Sequence, residues 1–194
     1  MPHFNPYGIK KEDGPFIVFS DQTSGWMEFL IKFRTKGNWN HVMLCLEPGY
    51  FVSQGNTYSK APFSRYMRKN FRLKFVSIAG ITEEGKQAIR DSVEEKLQLP
   101  WWKKMYDFPG ILGQAIGVKG FNVPWWEYCS EDAPNHLKKA LKKMPLEFPD
   151  PLNGIIKYIP VHASPQEFND YLHSFHSTYF PVFGKWEGDD EDFT

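Results

Sequence analysis

HVMLCLEPGYFV, residues 41–52, contains two apolar runs on either side of the dipeptide Pro48-Gly49. Proline next to glycine marks a turn, and apolar runs flanking a turn are typical of a β-hairpin. With Pro48 and Gly49 as the two turn residues, Glu47 faces Tyr50 and the pairing continues back toward His41. The stretch therefore predicts two antiparallel strands with a histidine at their open end.

The segments on both sides of this hairpin combine strand and helix patterns, which predicts an α+β fold. Residues 145–151 hold three prolines and are predicted to form a loop, and residues 100–127 are rich in Pro, Gly and Trp, with a short helix at 110–117. The predicted strands are residues 16–19 and 72–79, and the predicted helices are residues 24–33, 82–97, 129–144 and 164–176. Thr82 is the expected N-cap of the second helix, and Ser164 with Glu167 forms a capping box for the last.

Composition narrows the class of protein. The chain has 194 residues, enough for one core, and its 23 basic and 23 acidic residues cancel, which argues against a nucleic-acid binder. No stretch approaches the 18 or so apolar residues of a membrane span, and residues 1–10 do not resemble a signal peptide. Two cysteines are too few for a disulfide scaffold, and no ligand motif predicts a metal or cofactor. We therefore expect a soluble, cytoplasmic protein.

Cys129 is the first candidate for chemistry because a helix is predicted to begin at or just after it. Unpaired N–H groups and the helix dipole favour a thiolate at such a position, and the same N–H groups can stabilise an oxyanion. Glu131 and Asp132 are close in sequence and would raise the pKa of the thiol if they pointed toward it. Cys45, on the strand that starts at His41, is expected to lie in the core.

His41 is the candidate base, and three polar residues on the second hairpin strand compete to orient it. The predicted pairing sets Met43 opposite Gln54, so that Gln54 and Asn56 share the face of His41. Either amide can hold the imidazole in one tautomer, as the third member of a catalytic triad does. A shift of the register by one residue would substitute Ser53.

Four short motifs in this order resemble the circularly permuted branch of the NlpC-type papain-like superfamily, the YiiX-like proteins. In that branch the histidine precedes the cysteine in the chain. The resemblance covers about residues 14–145. The matching motifs are Phe16-Ile17-Val18-Phe19, Asn40-His41-Val42, Tyr106-Asp107-Phe108 and Tyr128-Cys129-Ser130-Glu131.

The resemblance implies a small antiparallel sheet packed against the cysteine-bearing helix. It also implies that His41 takes the thiol proton while Cys129 attacks a carbonyl to form an acyl-enzyme. Gln54 occupies the position of the third residue, where the family usually has an acid or a histidine. Tyr128 and Trp126 are expected to line the substrate cleft.

On this basis residues 1–194 are predicted to form one domain. It consists of a papain-like core at 14–145, a C-terminal extension at 146–187 and an acidic tail at 188–194. The expected activity is hydrolysis of an amide or peptide bond, such as one in a cell-wall peptide, with a small peptide, amide or acyl compound as substrate. Two alternatives stay open: a lipid acyltransferase or thioesterase related to the lecithin:retinol acyltransferase-like branch, and a catalytically weak binding module. The sequence does not predict an oligomeric state.

Overall fold

The computed structural model describes residues 4–21, 37–54, 57–68, 71–105, 107, 129–160, 163–175 and 178–188. These residues form an α+β fold with a six-stranded sheet in the order β4-β3-β2-β1-β5-β6, in which every neighbouring pair is antiparallel. The strands are β1 Phe16–Asp21, β2 His41–Glu47, β3 Tyr50–Gln54, β4 Tyr58–Pro62, β5 Arg72–Ser77 and β6 Val182–Glu187. The described helices are α1 Glu83–Leu97, α2 Cys129–Lys143, α3 Asp150–Lys157 and α4 Pro165–His173.

The central strands of the sheet are buried on both faces. On the side that we call the helix face, Ile17 and Phe19 of β1 join an apolar cluster with residues of all four helices. On the opposite side, which we call the outer face, Phe16 and Val18 join a second cluster that includes Phe63 from the segment after β4. Because β1 is paired on both edges and covered on both faces, its apolar run is continuous rather than alternating.

Local signals for the helices are confirmed. The Thr82 hydroxyl accepts the Gly85 N–H at the start of α1, and Ser164 and Glu167 form the predicted capping box before α4. The cysteine-bearing helix α2 begins at Cys129 and contacts β2 and β3 on one side and α1 on the other. The predicted sheet-on-helix packing around Cys129 is therefore present.

One predicted loop is partly wrong, two strands were not predicted, and two predicted helices fall outside the described residues. The loop predicted at 145–151 is wrong in its last part, because Asp150 and Pro151 form the first turn of α3, where proline costs no helical hydrogen bond. Strands β4 and β6 were not predicted, since neither carries a clear alternating pattern. The helices predicted at 24–33 and 110–117 lie outside the described residues.

The β2–β3 hairpin keeps the predicted turn but not the predicted register. Glu47 faces Tyr50 as expected, whereas Leu44 faces Val52 instead of Ser53. The one-residue shift between these pairs is a β-bulge, and it exchanges the two faces of β3 beyond it. The predicted pairing of Met43 with Gln54 is therefore wrong. Ser53, and not Gln54, shares the outer face with Met43 and His41.

Candidate active site

Cys129 is the first residue of α2 and is only 2% exposed. Its helix is seated by Ala133, Leu137 and Ala140, which pack into the cluster on the helix face. Ser130 adds a fixed point, since its hydroxyl donates to the Ala163 carbonyl before α4 at 2.5 Å. The start of α2 is thus held in place by both apolar packing and a buried hydrogen bond.

His41 is the first residue of β2 and is half-buried. It pairs with Ser20 of β1, and its ring stacks on Tyr66 with 6.0 Å between ring centroids and 10° between ring planes. The Tyr66 hydroxyl is 3.1 Å from the Ser53 hydroxyl. The open end of the hairpin therefore carries a connected group on the outer face that runs from Ser53 through Tyr66 to His41.

Burial lowers the pKa of His41 from its ordinary 6.5 to about 4, because water no longer solvates the imidazolium. The Asp132 carboxylate opposes this shift, and the Arg65 guanidinium adds to it. At neutral pH the imidazole is accordingly neutral. A neutral imidazole can accept a proton, and a pKa this low makes it a weaker base than an ordinary histidine.

Tyr66 stacks on His41, and the pKa of its phenol is raised. Burial raises this pKa, the hydrogen bond to Ser53 and the charge of Arg65 lower it, and the charge of Cys129 raises it again. Tyr66 is therefore a buried aromatic neighbour of the predicted base.

Gln54 lies on the helix face, where it pairs with Tyr58 of β4. Its side chain is buried, and its Nε2 donates to the Lys104 carbonyl at 2.7 Å. Its Oε1 has no hydrogen-bond partner within the described residues. The predicted third residue of the site therefore supports the segment after α1, and it does not share the face of His41.

A buried polar network lies between α1, α2 and β4, one helical turn beyond Cys129. Asp132 accepts from Lys96 at 2.7 Å and lies 3.2 Å from His136 Nε2. The ring nitrogens of His136 are 2.9 Å from the Tyr58 hydroxyl and 2.8 Å from the Ser92 hydroxyl. Burial alone would raise the pKa of Asp132, but Lys96 and His136 outweigh it and lower the pKa to about 2. The carboxylate is charged at neutral pH, and its field reaches His41.

The remaining predicted residues divide into two groups. Asn56, Trp126 and Tyr128 lie outside the described residues. Cys45 is in the core as expected, and burial raises the pKa of its thiol to about 12. A thiol with that pKa is not a nucleophile at neutral pH, so Cys129 is the cysteine of interest.

Sequence reasoning missed Ser20 and Tyr66, and it named Asp132 only as a charge that could act on the thiol. Ser20 lies opposite His41 with a buried hydroxyl that has no partner in the described part of the chain. Tyr66 follows the short 3₁₀ helix Phe63–Arg65, and no local pattern signals its approach to β2. Asp132 did carry a signal, since residues three apart on a helix share a face, and it is three residues after Cys129.

No group of three potential metal ligands forms among the residues that the structure describes. None of the described helices is long and apolar enough to cross a membrane. The chain matches no protein-family model and no curated protein.

Proposed function

We propose that this protein is a cysteine hydrolase that cleaves an amide or peptide bond, with Cys129 as nucleophile and His41 as base. The observation that carries the proposal is that Cys129 begins a helix that contacts β2, the strand that His41 begins. Thiol catalysis needs such a cysteine together with an imidazole that accepts its proton. A permuted papain-like fold of the YiiX-like type is part of this proposal. The strand-borne histidine that precedes the cysteine in the chain and the contact of α2 with the sheet support it.

The proposed reaction begins when neutral His41 accepts the proton of the Cys129 thiol. The thiolate then attacks the substrate carbonyl, and the oxyanion forms near the backbone N–H groups at the start of α2. The imidazolium returns its proton to the leaving amine, which gives a thioester on Cys129. Water, deprotonated by His41, hydrolyses that thioester and restores the thiol.

The test is the rate of Cys129 alkylation by iodoacetamide against pH, in a Cys45→Ser background, with and without His41→Ala. We expect the thiol to react well below its ordinary pKa of about 8.5 and to lose that reactivity without His41. His173→Ala is the matched control, because His173 ends α4 and lies outside the site. Slow alkylation with an ordinary pKa in all three proteins would refute the proposal.

A binding module on the same frame is the second candidate, favoured by the 2% exposure of Cys129 and by the position of Gln54 on the other face. It predicts that the native protein is alkylated no faster than an ordinary buried thiol. The lipid-directed alternative is favoured by Trp101 and Trp102, which are 62% and 55% exposed in a short 3₁₀ helix after α1. The lipid-directed alternative predicts that lipid vesicles quench or shift the fluorescence of these tryptophans, which the amidase proposal does not predict.

A further inference from the structure

We propose that Tyr66, anchored by Ser53, is a positioning residue for His41 and stabilises the imidazolium that forms when His41 accepts the Cys129 proton. This inference rests on the proposed function and assigns the role that sequence reasoning gave to Gln54. It follows from the stacked rings of Tyr66 and His41 and from the hydrogen bond that fixes the Tyr66 hydroxyl.

The stacking geometry limits the motion of the imidazole. Ring planes only 10° apart with centroids 6.0 Å apart form an offset stack, one of the preferred arrangements of aromatic pairs. The hydroxyl of Tyr66 bonds to Ser53, and its ring edge meets Phe51 at 88° and 5.5 Å, so the tyrosine is itself held from two directions. A fixed tyrosine face therefore sets the plane of the His41 ring.

The same geometry supplies the attraction that a carboxylate supplies in a catalytic triad. An aromatic face attracts a cation, and the attraction grows when both groups are shielded from water. Tyr66 is buried, and burial makes the imidazolium of His41 costly. Because the ring attracts the charged form more than the neutral form, its effect is larger after proton transfer than before it.

The β-bulge in the hairpin makes this arrangement possible. The one-residue shift in register brings Ser53 to the outer face, where its hydroxyl reaches Tyr66. Gln54 is turned to the helix face by the same shift and bonds to Lys104. A hairpin without the bulge would exchange these two residues and would remove the anchor of Tyr66.

The experiment is a double-mutant cycle on the rate of Cys129 alkylation at pH 7, in the full chain with Cys45→Ser. Tyr66→Leu removes the aromatic face and keeps an apolar side chain, and we expect it to slow alkylation about 10-fold when His41 is present. In the His41→Ala background it is expected to change nothing, because the tyrosine acts through the histidine. Phe63→Leu is the matched control, a buried aromatic of the same cluster that adjoins Phe51 and not His41.

Two milder variants keep the test decisive if Tyr66→Leu does not fold. Tyr66→Phe and Ser53→Ala each remove the anchor and leave the aromatic face, so both should slow alkylation by the same factor of about 2 to 3, and the double variant should be no slower. If all these variants were alkylated as fast as the parent while His41→Ala was slow, the inference would be overturned. The proposed Cys129–His41 pair would not be affected. If Tyr66→Leu slowed alkylation further in the His41→Ala background, the inference would also be overturned, since the role of Tyr66 would then be structural. If His41→Ala did not change the rate of Cys129 alkylation, the proposed function and this inference would both be refuted.

Discussion

His136 lies in the middle of α2 and His41 at the start of β2, and the surroundings of these two histidines differ. His136 lies between α1 and α2 with both ring nitrogens within hydrogen-bond distance of hydroxyl groups, and Asp132 lies beside it. His41 begins β2, and its ring stacks on that of Tyr66. His136 is thus part of a buried polar network between two helices, whereas His41 lies at the start of a strand against an aromatic ring.

The largest expected effect is on unfolding free energy, and it tests the buried network around His136. Lys96→Met leaves the Asp132 carboxylate buried without its cation, which we expect to cost about 3–5 kcal/mol of unfolding free energy. Lys60→Met is the matched control, because Lys60 pairs with Glu94 at 2.8 Å at the surface, with 39% and 49% of the two side chains exposed. The side chains of Lys96 and Asp132 are only 12% and 3% exposed.

For the surface pair we expect a cost of at most about 1 kcal/mol. Urea unfolding at pH 7 measures both variants against the parent. Equal costs for the two substitutions would show that the network around His136 is not the support of α2 that the geometry indicates.

A medium effect is expected on the pH dependence of stability, and it tests the surroundings of His41. The folded protein holds the pKa of His41 at about 4, below the 6.5 of the unfolded chain. As pH falls from 6.5 to 4 the unfolded state binds the proton first, so His41 removes up to about 3 kcal/mol of stability across that window. Above pH 6.5 it removes none, and below pH 4 the full loss persists without growing. Replacing His41 with Gln should therefore flatten the loss of stability between pH 6.5 and 4.

The measurement is urea unfolding at several pH values, with the difference between parent and His41→Gln as the readout. Asp132 does not disturb this window, since its pKa is lowered to about 2 and its contribution is lost only below its ordinary 3.8. Parallel stability curves for parent and variant from pH 6.5 to 4 would contradict the lowered pKa of His41.

The smallest effect compares one serine beside each histidine. Ser92→Ala removes the hydroxyl 2.8 Å from His136 Nδ1 and leaves a buried ring nitrogen unpaired, at a cost of about 1–2 kcal/mol. Ser20→Ala removes a buried hydroxyl that has no partner among the described residues, so we expect a change within about 0.5 kcal/mol. Thermal unfolding of the two variants gives the comparison, and a larger cost for Ser20→Ala would reverse our assignment of the two surroundings.

The local elements of this fold were accessible from sequence because each has its own signal. The continuous apolar run of β1, the Pro48-Gly49 turn and the cap residues Thr82 and Ser164 act within a few residues of the elements that they define. The start of α2 at Cys129 was predicted for the same reason, as acidic residues and a proline follow at once.

Pairings between residues far apart in the chain could not be predicted from the sequence. β6 adds to the sheet beside β5 with Glu187 opposite Arg72, more than one hundred residues away in the chain. Lys96 reaches Asp132 across two helices, and no periodicity in either helix specifies their relative rotation. Such contacts depend on how whole elements pack, which local propensity does not encode.

The sequence by itself predicted β1, the central hairpin, β5, three of the four described helices and the two residues proposed to react, because caps, turns and apolar periods are local. The tertiary structure decided which residues surround His41. A single β-bulge moved Ser53 to its face and turned Gln54 away, and the segment after β4 brought Tyr66 against its ring. A shift of one residue reverses the face of every later side chain in a strand, and the packing of the complete sheet fixes that shift.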